Sequence, residues 1–177
     1  MSIDTALVVI DVQVNLMKEA YHREEVLQTI GLLLERARTS ETPVIYVQHN
    51  DEPGGDLETN TPGWQIHPAV APHEGEVVIQ KASPDAFHRT RLQEELQARG
   101  IKRLVVTGGQ TEYCVDATTR QAVSQGYDVL LVSDAHTTLG NKTLNAAQII
   151  AFYNEAMHGF WAGESVVRVR LAEEIVL

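Results

Sequence analysis

A single cysteine, Cys114, sits in "GGQTEYCVD", where an apolar run ("RLVVT") gives way to a helix-like run ("ATTRQAVSQG"). With Thr111 as the N-cap, the thiol falls in the first helical turn. Free backbone N–H groups and the positive end of the helix dipole favour a thiolate there and lower its pKa. The same N–H groups can hold a developing oxyanion. A lone cysteine between Tyr113 and Val115 is equally a small packing residue. Two other residues bear on the choice. Asp11 ends "LVVID"; it is either a helix cap or a carboxylate desolvated enough to take a thiol proton. Lys81 ends "EVVIQK"; it is either solvated or a cation that compensates Asp11 and stabilises a thiolate.

These residues need a frame that brings strand ends together. Short continuous apolar runs, as expected of strands covered on both faces, occur at 5–10, 43–48, 76–80, 102–108 and 127–134, with a possible sixth strand at 165–171. Helical spacing puts Val26, Ile30, Leu33, Leu34 and Ala37 on one face. A helix over 90–100 carries a Thr90/Gln93 capping-box pattern and stops at Gly100. Another runs from about 111 to 125. A third covers 143–158; its "IIAFY" is apolar all round, which predicts burial on more than one side and a subunit interface. Strand–helix alternation predicts one α/β domain over 1–177 with a parallel sheet and helices on both faces. Ligands in such sheets bind beyond the carboxyl ends of the strands. That selects Asp11, Gln48 with His49, Lys81, Cys114, and Asp134 with His136. The irregular stretch 49–75 is long enough to be functional or mobile.

Composition removes other classes. Acidic residues exceed basic ones, 24 to 14, and no Lys/Arg cluster offsets this, which argues against nucleic acid as a partner. No run is long enough for a membrane span, and the N-terminal run lacks a basic flank and the length of a signal peptide. With one cysteine and no intrachain disulfide, a cytoplasmic location is expected. There is no GxGxxG and no Walker A pattern, so no nucleotide cofactor is expected.

Taken in order, "VVIDVQ", "VIQKASPDAFHRTRLQEEL", "LVVTGGQTEYCVDATTRQAVSQGYDV" and "LVSDAHTT" resemble the isochorismatase-like cysteine hydrolase superfamily. That superfamily includes nicotinamidases and N-carbamoylsarcosine amidases. The resemblance implies a three-layer α/β/α fold with a five- or six-stranded parallel sheet in the order 3-2-1-4-5(-6). It implies an Asp11–Lys81–Cys114 catalytic triad, a cis peptide between Gly109 and Gln110, and an oxyanion hole from the N–H groups of Gln110 and Cys114. The implied reaction is hydrolysis of an amide, carbamoyl or ureido C–N bond in a small molecule, through a Cys114 thioester. Trp64, His67, Phe87 and Tyr113 are aromatic candidates for the substrate pocket.

Departures from the family pattern matter. "DVQVNL" places Leu16 where relatives often carry an aromatic residue, altering one pocket wall. Nicotinamidases carry an Asp/His/His metal site after the second strand. His49, Asp51, His67 and His73 are the candidates here, but without that spacing, so no metal is expected. A homo-oligomer, dimer or tetramer, is expected. Two other readings compete: a thiol redox or sensor protein using Cys114, and a catalytically idle binding subunit of the same fold.

Overall fold

The computed structural model describes residues 4–177; residues 1–3 of the expected domain lie outside the described residues. Its frame is one seven-stranded sheet in the order β3-β2-β1-β4-β5-β7-β6. The parallel strands are β1 (Thr5–Ile10), β2 (Val44–His49), β3 (Val77–Lys81), β4 (Arg103–Gly109), β5 (Asp128–Thr137) and β7 (Ser165–Arg170). The expected order is therefore present. A two-residue strand, β6 (Trp161–Ala162), adds to the edge as an antiparallel hairpin with β7, too short to leave a pattern in the sequence.

The apolar runs are continuous because both sheet faces are covered. Ala6, Val8 and Ile10 point into one core with Leu92 and Leu96 of α3 (Leu92–Ala98) and Ala122 and Val123 of α4 (Asp116–Ser124). Leu7 and Val9 point into the other, against α2 (Arg23–Thr39), which follows the short α1 (Val14–Lys18). All five residues of the predicted stripe, Val26 to Ala37, are buried in α2. Each fully buried aliphatic side chain of this kind contributes about 1.5–3 kcal/mol.

Several local expectations are corrected. The Thr90/Gln93 capping box does not form: the N-cap of α3 is Arg91, and the Thr90 hydroxyl donates to Ala86 O at 2.5 Å. Thr111 is not an N-cap. Residues Thr111–Val115 form a π-turn that precedes α4, and Gln110 stands before it in extended geometry. The last helix, α5 (Ala146–Met157), starts later than expected, at an Asn145/Gln148 capping box. It buries Ala146, Ile149 and Met157 but leaves Phe152 59% exposed, so within this chain it is covered on one side only. Among the described residues no helix is long and apolar enough to cross a membrane.

The stretch after β2 is ordered by buried amides. The Gln13 side chain donates to the carbonyls of His49 (2.9 Å) and Trp64 (2.8 Å) and accepts from His49 N–H (2.8 Å). Gln48 donates to Trp64 O as well, at 3.0 Å. Backbone bonds from Val14 to Gln65 and from His67 to Val12 extend the seam.

One glycine sets the geometry where the site lies. Gly108 has φ 114°, and a Cβ there would stand 2.0 Å from the Ile10 carbonyl oxygen. β4 therefore runs tight against the end of β1, which brings the residues after both strands together. Gly108→Ala should destabilise the fold by about 1–3 kcal/mol. In a thermal melt this lowers Tm by about 2–4 °C per kcal/mol; an unchanged Tm would contradict the close approach.

Candidate active site

Four strand ends deliver the side chains. Asp11 follows β1, His49 ends β2, Lys81 ends β3, and Cys114 lies in the turn after β4. Asp11 has φ 50°, a conformation uncommon for a residue with a side chain, and is fully buried. Lys81 is also buried, and its Nζ reaches Asp11 Oδ2 at 2.7 Å, His49 Nδ1 at 2.9 Å and Cys114 Sγ at 3.2 Å. An ammonium has three N–H groups: two donate to His49 and Cys114, and the third faces Asp11. The approach to Asp11 is an ion pair too oblique to satisfy either carboxylate oxygen as a hydrogen-bond acceptor. Asp11 thus keeps lone pairs available for a proton.

His49 was foreseen only as a strand-end residue and a metal candidate; its structural position is more definite. A lysine ammonium only donates, so His49 Nδ1 must accept from it. Nε2 then carries the ring hydrogen and faces Asp51 Oδ1 at 3.2 Å, while Asp51 Oδ2 accepts from Leu57 N–H at 2.9 Å. Burial, and then the Lys81 charge, lower the His49 pKa and keep the ring neutral. This arrangement also bears on a metal. Ligand atoms of Asp11, His49 and Cys114 lie within 4.8 Å of one another, but the Lys81 ammonium bonds all three and stands where a dication would have to sit. His67 and His73 are not part of this cluster among the described residues, and His67 Nδ1 instead accepts from Ala69 N–H. The residues present do not fit the metal site of nicotinamidases.

The turn that carries Cys114 is held from behind. The Gly109–Gln110 peptide is cis. The Gln110 carbonyl accepts from Tyr113 N–H (3.2 Å) and Val115 N–H (3.1 Å), and the Cys114 N–H between them is not among its donors. Thr111 Oγ1 lies 2.9 Å from His136 Nδ1, and His136 Nε2 lies 2.9 Å from Asn154 Oδ1. An irregularity in the β4–β5 register, between Val106 and Gly108, places His136 beside Gly108. His136 is buried, and burial lowers its pKa, so it serves as a neutral brace.

Electrostatics overturn one expectation. Burial first, and then the Asp11 charge, push the Cys114 thiol up to about 12 against the opposing pull of Lys81. Desolvation outweighs the cation because the sulfur lies beside a carboxylate in a dry site. The resting site therefore holds a thiol rather than a standing thiolate. Burial also raises the Asp11 pKa against the pull of Lys81, which makes Asp11 a stronger proton acceptor.

The site opens into a cavity of about 480 Å³. Leu16, Leu57, Pro84, Leu139 and Tyr113 supply its apolar wall, and Asn15, Asp51, Asp56 and Gln110 its polar side. Among the four aromatic candidates, Tyr113 lines it and the other three do not. The Trp64 indole donates to Asn50 Oδ1 at 2.7 Å, fastening the loop. His67 caps the short turn Pro68–Val70. Phe87 turns into the core and stacks on Tyr127 with ring centroids 6.0 Å apart. Leu16 does form a wall, as its departure from the family pattern suggested. Asn15, Asp56, Leu57, Pro84 and Leu139 had no signal in the sequence; only the folded loops bring them to the site.

Comparison with known proteins agrees with this geometry. The model of the isochorismatase domain matches residues 5–155. The chain belongs to the isochorismatase family. An uncharacterized isochorismatase family protein of Bacillus subtilis, YddQ, is 36% identical over 170 residues, 89% of this chain and 93% of its own. A streptothricin hydrolase of Streptomyces noursei is 40% identical over 136 residues, covering 75% of this chain but 49% of that longer protein. The crystal structure of an isochorismatase from Pseudomonas putida superposes with a TM-score of 0.88 at 32% identity, covering 98% of this chain and 90% of that one. The sheet order puts the cavity where β1 and β4 adjoin and strand order reverses.

Two outcomes test the site. Alkylation of Cys114 by iodoacetamide should keep accelerating as pH rises past 9, because the thiol holds its proton to about 12; a plateau below pH 9 would contradict this. In Asp11→Asn the charge that raises the thiol pKa is gone, so alkylation at pH 8 should be faster than in the wild type. Separately, His49→Leu strands one Lys81 N–H in a dry site and should cost about 1–3 kcal/mol in denaturant unfolding.

Proposed function

We propose that this isochorismatase-family hydrolase cleaves an amide, carbamoyl or ureido C–N bond of a small molecule through a thioester on Cys114. The observation that carries the reading is the convergence of a nucleophile, a base and a cation. Lys81 Nζ lies 2.7 Å from Asp11 and 3.2 Å from Cys114 Sγ, at the floor of a cavity of about 480 Å³. The relative named a streptothricin hydrolase supports hydrolysis of a small molecule.

The chemistry follows from the charges. The thiol is protonated at rest, so Asp11 takes its proton as the sulfur–carbon bond forms. The carbonyl electrons move to oxygen, where the N–H groups of Gln110 and Cys114 would hold the oxyanion. Asp11 then gives its proton to the departing nitrogen as the C–N bond breaks. Water, deprotonated by the freed Asp11 carboxylate, adds to the thioester. The C–S bond breaks, the sulfur recovers the proton from Asp11, and the acid leaves. At the step that deprotonates Cys114, negative charge passes from Asp11 towards sulfur, and Lys81, beside both groups, offsets it throughout.

A redox or sensor role fits less well. Oxidation follows thiolate character, and burial removes that character from Cys114. An idle binding subunit would have no use for a buried ion pair, whose desolvation costs several kcal/mol per ion.

The test is a panel of small amides, carbamoyl and ureido compounds, read by release of ammonia or amine. A productive compound should leave an acyl mass increment on Cys114 when the reaction is quenched early. Asp11→Asn should lower kcat/KM by about 10²–10⁴, the usual worth of a general base. Release that survives Cys114→Ala would sink the reading.

A further inference from the structure

Charge around the cavity narrows the substrate class, given the amide-hydrolase reading above. No arginine lines the cavity, and the lysine beneath it has no valence to spare: the Lys81 side chain is fully buried and bonded to Asp11, His49 and Cys114. Lys81 balances Asp11. Two further carboxylates, Asp51 and Asp56, line the cavity, and among the described residues neither pairs with a lysine or arginine. Asp51 is held by His49 and by Leu57 N–H. The ring of His49 is kept neutral, so it does not offset Asp51. Asp56 is exposed and forms no salt bridge among the described residues. Another wall carries Tyr113, an aromatic ring 53% exposed to solvent.

A substrate carboxylate entering this space would meet like charge and no cationic partner, the arrangement by which interfaces reject wrong ligands. An ammonium or guanidinium would meet two carboxylates and an exposed aromatic ring whose face attracts cations. The protein as a whole carries a formal charge of −10, so the long-range field acts in the same direction. We infer that the site selects amides bearing a cationic group, accepts neutral ones less well, and rejects those bearing a carboxylate, with Asp56 a specificity-determining residue. The apolar wall of Leu16, Leu57 and Leu139 suits an alkyl segment between the cation and the scissile carbonyl.

The experiment uses three primary amides of one chain length, ending in ammonium, methyl or carboxylate. Two readouts are taken on the full chain: kcat/KM for ammonia release, and protection of Cys114 from iodoacetamide at equal concentration. Both should rank ammonium above methyl above carboxylate, with about a tenfold or greater span at low ionic strength. The span should shrink as salt shortens the screening length from about 10 Å at 0.1 M towards about 3 Å at 1 M. Asp56→Lys should cut the ammonium-to-carboxylate ratio about tenfold, and Asp56→Asn should cut it less; the exposed position keeps both variants folded, which a thermal melt checks. A carboxylate-ended amide that reacts or protects as well as the ammonium-ended one overturns the inference. So does a ratio unmoved in Asp56→Lys. If the methyl-ended amide is hydrolysed in either case, the amide-hydrolase reading stands while this inference falls. If none of the three is hydrolysed, the protection ranking still decides the charge preference.

Discussion

The buried ammonium of Lys81 is the interaction on which the site depends. It ties the ends of three strands and the turn after a fourth, through Asp11, His49 and Cys114, at 2.7, 2.9 and 3.2 Å. A cation this buried is stable only if paired and fully hydrogen-bonded. The ion pair with Asp11 supplies the opposite charge, and His49 and Cys114 supply two hydrogen-bond acceptors. Removing any partner leaves charge or donor exposed to a dry interior. The site is therefore built as a unit, and its geometry is as constrained by electrostatics as by packing.

The same burial decides the chemistry. A nucleophilic cysteine is often activated as a standing thiolate, but here desolvation and the Asp11 charge raise the thiol pKa against the pull of Lys81. In the proposed reaction the thiol loses its proton only as a substrate carbonyl takes up the electrons. A resting thiol resists adventitious oxidation and alkylation, and a carboxylate with a raised pKa is a better base. The two perturbations oppose one another for proton transfer in the empty site and cooperate once the carbonyl is bound.

Backbone features make that arrangement possible. Gly108 lets β4 press against the carbonyl of Ile10, and a left-handed Asp11 turns its carboxylate inward. The His136–Thr111 contact braces the cysteine turn from the sheet, and Gln13 fastens the loop that supplies Asp51, Asp56 and Leu57. None of these residues reacts. They hold Asp11, Lys81 and Cys114 within a few ångströms of one another, the positioning that the proposed acyl transfer needs.

The sequence by itself determined the frame and the strand-end residues that converge in it. Strands buried on both faces write continuous apolar runs, and α2 writes a 3.6-residue stripe, so order and layers were legible. Asp11, Lys81 and Cys114 were legible because each ends or follows such a run. Of the cavity lining beyond the strand ends and Gln110, Tyr113 and Leu16 were legible and most of the rest was not. Trp64, His67 and Phe87 have the right chemistry, yet side-chain direction in loops follows from hydrogen bonds such as that of Trp64 to Asn50, which no local pattern records. His49 read as a possible ligand because only the folded site shows its partner to be Lys81. The thiol's protonation state reversed for the same reason: a helix start is visible in sequence, but burial beside a carboxylate is a property of three distant segments packed together. Local periodicity and turn chemistry act over a few residues and can be read along the chain; desolvation and charge pairing act through space and belong to the tertiary structure.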